Sequence, residues 1–105
     1  MDRNMASYFK LLADDTRLRI IELLLKGETC GCTLIDQLPI AQPTLSYHLK
    51  MLSLGGLASA RREGNWIKYS IDRTRIDDMI DYLESLKRLD HSSCTTRFKQ
   101  GEARQ

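Results

Sequence analysis

The sequence predicts a small α+β domain, mostly helical, in the order α-α-α-α-β-β-α of a winged helix-turn-helix. Three observations point there. Two helical stretches are joined by the brief turn "LPIAQ", a hairpin pattern follows them, and an amphipathic helix comes last. A chain of 105 residues makes one domain, since domains commonly run to about 100–150 residues. A monomer of this length buries roughly 60–70% of its surface, so dimerisation would add to a modest core. The domain is expected over residues 1–90, with a mobile tail over 91–105.

Each element has its own local cause. "NMASYFKLLAD" sets Met5, Tyr8, Phe9, Leu11 and Leu12 at helical spacing. Asp14, Asp15 and Thr16 offer caps for a second helix, "RLRIIELLLKG", which stops at Gly27. Its Leu18, Ile20, Ile21, Leu24 and Leu25 cover more than one face, so it is expected to be the buried helix. Thr33 and Asp36 resemble a capping box that opens a short third helix, and Pro39 ends it. A fourth helix starts at Gln42-Pro43, where the missing proline N–H costs nothing, and runs to Gly55-Gly56. "LASARR" and "WIKYSID" flank Glu63-Gly64-Asn65 as a hairpin. "RTRIDDMIDYLESLKRLD" then places Ile76, Met79, Ile80, Leu83 and Leu86 on one stripe, with acidic residues outside it.

The net charge of +2 becomes informative once it is divided along the chain. Residues 41–75 carry Lys50, Arg61, Arg62, Lys68, Arg73 and Arg75 against Glu63 and Asp72, a net of +4. Residues 1–40 come to −1 and residues 76–90 to −3. Positive charge gathered in the middle third suits a surface that meets a polyanion. Nothing approaches the ~18 apolar residues of a membrane span, and "MDRNMASYFK" lacks the apolar core of a signal peptide. The expectation is a cytoplasmic protein with no membrane partner. Three cysteines are an odd and small number for a disulfide scaffold, so the thiols read as free, ligating or redox-active.

On the fourth helix, Leu45, Leu49 and Leu52 form an anchoring face, while Pro43, Tyr47 and Lys50 lie opposite, flanked by Thr44, Ser46 and Met51. Hydroxyls, an aromatic and a cation on the outward side suit base edges and phosphates in a major groove. Gln42, Thr44, Ser46, Tyr47 and Lys50 are therefore the candidate DNA contacts of this helix, with His48 half-buried between the faces. Arg61, Arg62 and Lys68 around the hairpin are candidates for backbone phosphates, which give affinity without sequence information. Catalysis has no support: there is no glycine-rich phosphate loop, no nucleophile–base pair, and the two histidines lie in separate segments. A protein-interaction module with the same fold would differ by lacking a salt-steep affinity for duplex DNA.

From "LLADDTRLRI" to "WIKYSID", about residues 10–72, the chain resembles the ArsR/SmtB family of metal-responsive repressors. "QPTLSYHLKML" and "REGNWIKYSI" are similar to that family's recognition helix and wing, and "ETCGC" before "TLIDQL" is similar to the cysteine motif of its arsenic-responsive branch. The resemblance implies a homodimer on palindromic double-stranded operator DNA that lets go when a metal or metalloid binds. It implies dimerisation through the first and last helices, here Phe9, Leu12, Ile76, Ile80 and Leu83, and inducer binding at Cys30 and Cys32.

Cys-x-Cys can serve such a role in a particular geometry. Residues i and i+2 diverge in a helix and share a side in extended chain. If the third helix begins at Thr33, both thiols precede it and converge, with Gly31 leaving the backbone free to bend. Thiolates select soft ions, and two sulfurs without a histidine or carboxylate cluster do not make the closed shell of structural zinc. The expected inducer is As(III) or Sb(III), with no organic cofactor. Many relatives carry a third cysteine where this chain has Ile35, so Cys94 is the remaining candidate sulfur, beside a small cellular thiol. Cd(II)- or Pb(II)-sensing relatives add cysteines from an N-terminal extension, and this N-terminus has none. Zinc-sensing relatives use Asp and His pairs on the last helix, which here holds no histidine, His91 standing just beyond it. A thiol-redox or non-metal signal is the further alternative, although a Cys30–Cys32 bridge would close a very small, strained ring.

Overall fold

A computed structural model describes residues 5–89 with the exception of residue 28. The expected tail over 91–105 lies outside the described residues, and Cys94 and His91 with it. The elements run α1 (Met5–Leu12), α2 (Asp15–Leu25), β1 (Thr29–Cys30), α3 (Gly31–Gln37), α4 (Gln42–Leu54), β2 (Ala58–Glu63), β3 (Trp66–Ile71) and α5 (Arg73–Lys87). This is the winged helix-turn-helix order with one addition. β1 pairs antiparallel with β3, giving a three-stranded sheet ordered β1-β3-β2.

Asp14 caps α2 as expected, its carboxylate accepting from the Arg17 backbone N–H at 3.0 Å. That bond, with the nearby Arg17 charge, holds the Asp14 carboxyl below its ordinary range. A depressed carboxyl stabilises the fold above its unfolded value and loses that contribution as pH falls through the folded one. Asp72 caps α5 in the same way through Thr74 N–H at 3.0 Å. The Arg73 guanidinium donates to Leu25 O at 2.8 Å, so the start of α5 satisfies a carbonyl at the end of α2. Pro43 stands in the first turn of α4. Gly64, at φ 64°, supplies the left-handed residue of the two-residue turn between Glu63 and Trp66.

The core joins every helix to the sheet through Ile20, Leu34, Leu45, Leu52 and Leu57, all fully buried, with Leu11, Leu24, Leu49, Ile71 and Met79 around them. Burial of each such side chain is worth about 1.5–3 kcal/mol. Leu18 departs from expectation: it is exposed on α2, where the apolar set is wider than the face its neighbours cover. His48, expected to be half-buried, is buried, because the Leu45, Leu49 and Leu52 side of α4 is wide enough to draw it in. Among the described residues no helix is long and apolar enough to cross a membrane.

Candidate nucleic-acid interface and thiol site

The outward side of α4 is polar and exposed, as its wheel predicts. Gln42, Thr44, Ser46, Tyr47 and Lys50 are all exposed, while Leu45, His48, Leu49 and Leu52 face the core. Gln42 Nε2 lies 3.5 Å from Ser46 Oγ, one turn apart, so the two polar side chains share the leading end of the helix. Tyr47 stands over the His48 ring edge-on, with centroids 5.4 Å apart.

Beside its buried leucines, a contact that the sequence did not reveal ties this helix to the body. Arg17 donates through Nε to Leu11 O at 2.9 Å and through Nη1 to His48 Nδ1 at 3.2 Å. One guanidinium thus ties the end of α1, the start of α2 and the recognition helix, and the bond to Arg17 requires His48 Nδ1 to be the accepting nitrogen. Arg17→Met leaves a buried imidazole nitrogen and the Leu11 carbonyl without this donor. The expected loss is about 1–3 kcal/mol of unfolding free energy, read by urea denaturation.

The wing is the β2–β3 hairpin, in the register Arg61↔Lys68, Arg62↔Ile67 and Glu63↔Trp66. Arg61, Arg62 and Trp66 are exposed there. Arg61 and Lys68, both candidates for phosphates, are engaged by Glu63 at 2.8 Å and 3.1 Å.

The thiol site differs most from expectation. α3 begins at Gly31, two residues before the Thr33 start that the capping box suggested. Cys30 is its N-cap in extended conformation (φ −93°, ψ 163°), held so by pairing with Lys68 of β3, and Cys32 is already helical. The convergence survives this change, because the chain turns from strand to helix between the two cysteines. Their Cα atoms are 5.4 Å apart and their sulfurs are joined as a disulfide, so the pair that was expected as free or ligating thiols closes the very small ring of a Cys-x-Cys bridge. The separation falls inside the ordinary range for bridged cysteines. Gly31 does not act as a flexible bend, since it takes a regular helical position; a methyl built there would meet Leu49 Cδ1 of α4 at 3.9 Å. Thr33 Oγ1 lies 3.5 Å from Cys30 Sγ.

Among the described residues no three His, Cys, Asp or Glu side chains cluster around a common point. Among the described residues, the donors at the pair are therefore its own two sulfurs. In reduced form these fit a thiophilic ion of low coordination number and do not complete a tetrahedral zinc shell.

On α5, Ile80, Leu83 and Leu86 are exposed, with Tyr82 and Leu89 beside them. Of the other residues expected at a dimer face, Phe9, Leu12 and Ile76 are partly buried against the chain's own core. Phe9 and Tyr82 rings lie 6.1 Å apart, lining a mostly apolar hollow with Met5, Ala6, Lys10 and Ala13 between α1 and α5.

Comparison with known proteins agrees with this architecture. Residues 14–60 match the model of "Bacterial regulatory protein, arsR family". The chain is 32% identical over 100 residues to an arsenical resistance operon repressor of Staphylococcus aureus, covering 95% of this chain and 96% of that one. It is 35% identical over 79 residues to a cadmium resistance regulatory protein CadC homolog of the same organism, covering 74% and 65%. Among solved structures, an ArsR-like transcriptional regulator from Rhodococcus sp. RHA1 superposes with a TM-score of 0.75 at 26% identity, over 80% of this chain and 79% of the other. With the winged helix and its exposed recognition face in place, these matches put the chain in the arsR family of bacterial regulatory proteins, DNA-binding transcriptional repressors rather than enzymes.

Proposed function

We propose that the chain acts as a homodimer on palindromic operator DNA and lets go when As(III) or Sb(III) binds Cys30 and Cys32. The observation that carries this reading is the convergence of the two sulfurs at the strand-to-helix turn that leads into the DNA-binding unit. That turn adjoins both DNA-facing elements. Gly31 packs toward Leu49 on the inner side of α4, and Cys30 is the register partner of Lys68 in the wing. A ligand that draws the two thiolates together biases both elements at once, which is what a two-state release requires. The arsenical repressor among its relatives supports As(III), and the cadmium regulator keeps Cd(II) as the outcome to test against. Cys94 is the proposed third sulfur, from the same or the partner chain.

A thiol-redox signal is the second reading, favoured by the bridge itself. The two separate cleanly in fluorescence anisotropy of a labelled duplex, titrated with arsenite, then cadmium, under reducing conditions, and then with a thiol oxidant after the reductant is removed. Release by arsenite establishes the first reading, release by cadmium alone moves the inducer, and release only on oxidation establishes the second.

In the same assay Tyr47→Ala and Lys50→Ala should weaken duplex binding without altering the dimer. Lys50→Ala should also flatten the salt dependence by about one unit of slope, as loss of one phosphate contact does. Wild-type affinity in both variants would remove α4 from the groove.

A further inference from the structure

We propose that Glu63 is an intramolecular competitor for DNA phosphates, which holds the wing cations Arg61 and Lys68 in the unbound protein and so limits how tightly the wing engages a duplex. The inference rests on the reading that the wing meets DNA. Its basis is geometric. Arg61 and Lys68 stand directly opposite each other across β2 and β3, an arrangement in which like charges repel. One carboxylate serves both: Glu63 Oε2 takes Arg61 Nη1 at 2.8 Å, and Oε1 takes Lys68 Nζ at 3.1 Å. Glu63 is the last residue of β2, next to Gly64 of the turn, so the clamp sits at the tip of the hairpin. The hydrogen bonds from Arg61 and Lys68 keep the Glu63 carboxyl below its ordinary range, and it stays ionised wherever duplex binding is measured. A phosphate approaching these cations meets a carboxylate already in its place. Docking must exchange one anion for another, and the displaced carboxylate then lies close to the phosphates.

An exchange of this kind gains less than the binding of two unmatched cations, because fewer counterions leave the duplex for each contact made. The isosteric change Glu63→Gln removes the competitor and keeps the hairpin. It should tighten binding to a mixed-sequence duplex of roughly 30 base pairs by about three- to tenfold at low salt, and steepen the slope of log K against log salt by about one unit. Glu22→Gln, on the exposed side of α2, makes the same change in net charge outside the hairpin and its ion pairs and should leave both quantities at wild type.

The inference is overturned if Glu63→Gln binds with wild-type affinity and slope, or if Glu22→Gln gains as much, which would make the effect one of net charge alone. Wild-type protein without any salt-steep duplex binding would sink the DNA reading and this inference together. Salt-steep wild-type binding with an inert Glu63→Gln sinks only the clamp.

Discussion

Cys30→Ser should abolish release of the protein from duplex DNA by arsenite while leaving DNA binding itself close to wild type. The two effects separate because of where the sulfur sits. Cys30 is half-buried, outside the core, and its side chain touches Cys32 and the Thr33 hydroxyl. Serine preserves the extended N-cap and is a better capping residue than cysteine, so α3 keeps its start. What disappears is one of two thiolates, and a soft ion does not accept a hydroxyl in exchange. Coupling between two sites of this kind typically amounts to 5–150-fold in affinity, and all of it should vanish in the variant. By linkage, DNA-bound wild-type protein should take up arsenite more weakly than unbound protein by that same factor. Oxidised wild type offers a second route to the same result. With Cys30 and Cys32 joined, neither sulfur has a thiolate pair to give, and arsenite should leave the complex intact until reductant is added. Arsenite release that persists in Cys30→Ser and Cys32→Ser would place the inducer site elsewhere.

Much of this molecule is legible in its sequence, and the parts that are not share a physical cause. Asp14 before α2 acts through a bond three residues along the chain, and Pro43 in the first turn of α4 and Gly64 in the hairpin act through their own backbone conformation, so their sequence signals suffice. β1 is two residues long and exists because Thr29 and Cys30 pair with Tyr69 and Lys68, some forty residues away. No local pattern announces such a strand. The same pairing sets the start of α3 ahead of Thr33, since it holds Cys30 extended and lets the helix begin at Gly31. The Thr33–Asp36 pattern imitates a capping box without serving as one, because Cys30 occupies the cap. The Arg17 bond to His48 spans 31 residues, and the helical wheel of α4 could not anticipate that partner. At the wing the cations were legible as charge, whereas the Glu63 clamp depends on a cross-strand register that composition does not carry.

The largest loss of DNA affinity is expected from a residue that touches no DNA. Ile80, Leu83 and Leu86 follow one another along α5 at helical spacing, and each is more than two-fifths exposed. Met79 is 3% exposed and Ile76 packs partly against the core, so these two turn inward, while Ile80, Leu83 and Leu86 stay exposed among the described residues. A helix apolar beyond its buried side marks an interface. The hollow between α1 and α5, walled by Met5, Phe9 and Tyr82, adds apolar surface of the same kind. In the proposed homodimer a second copy brings its own α1 and α5 to this face, and the pair sets two recognition helices about one helical turn of DNA apart. Linking two binding units gains about 10²–10⁴ in overall affinity without any new contact. Leu83→Lys places a cation in the middle of that face while remaining solvent-compatible on the single chain, so the fold should persist with its helical circular dichroism unchanged. Light scattering should then give a monomer where the wild type gives a dimer. Operator affinity should fall by about two to four orders of magnitude, while the weak, salt-steep affinity of each unit for duplex DNA survives. A Leu83→Lys protein that stays dimeric would move the interface off α5, and a monomeric one with undiminished operator binding would show that the second copy adds nothing to recognition.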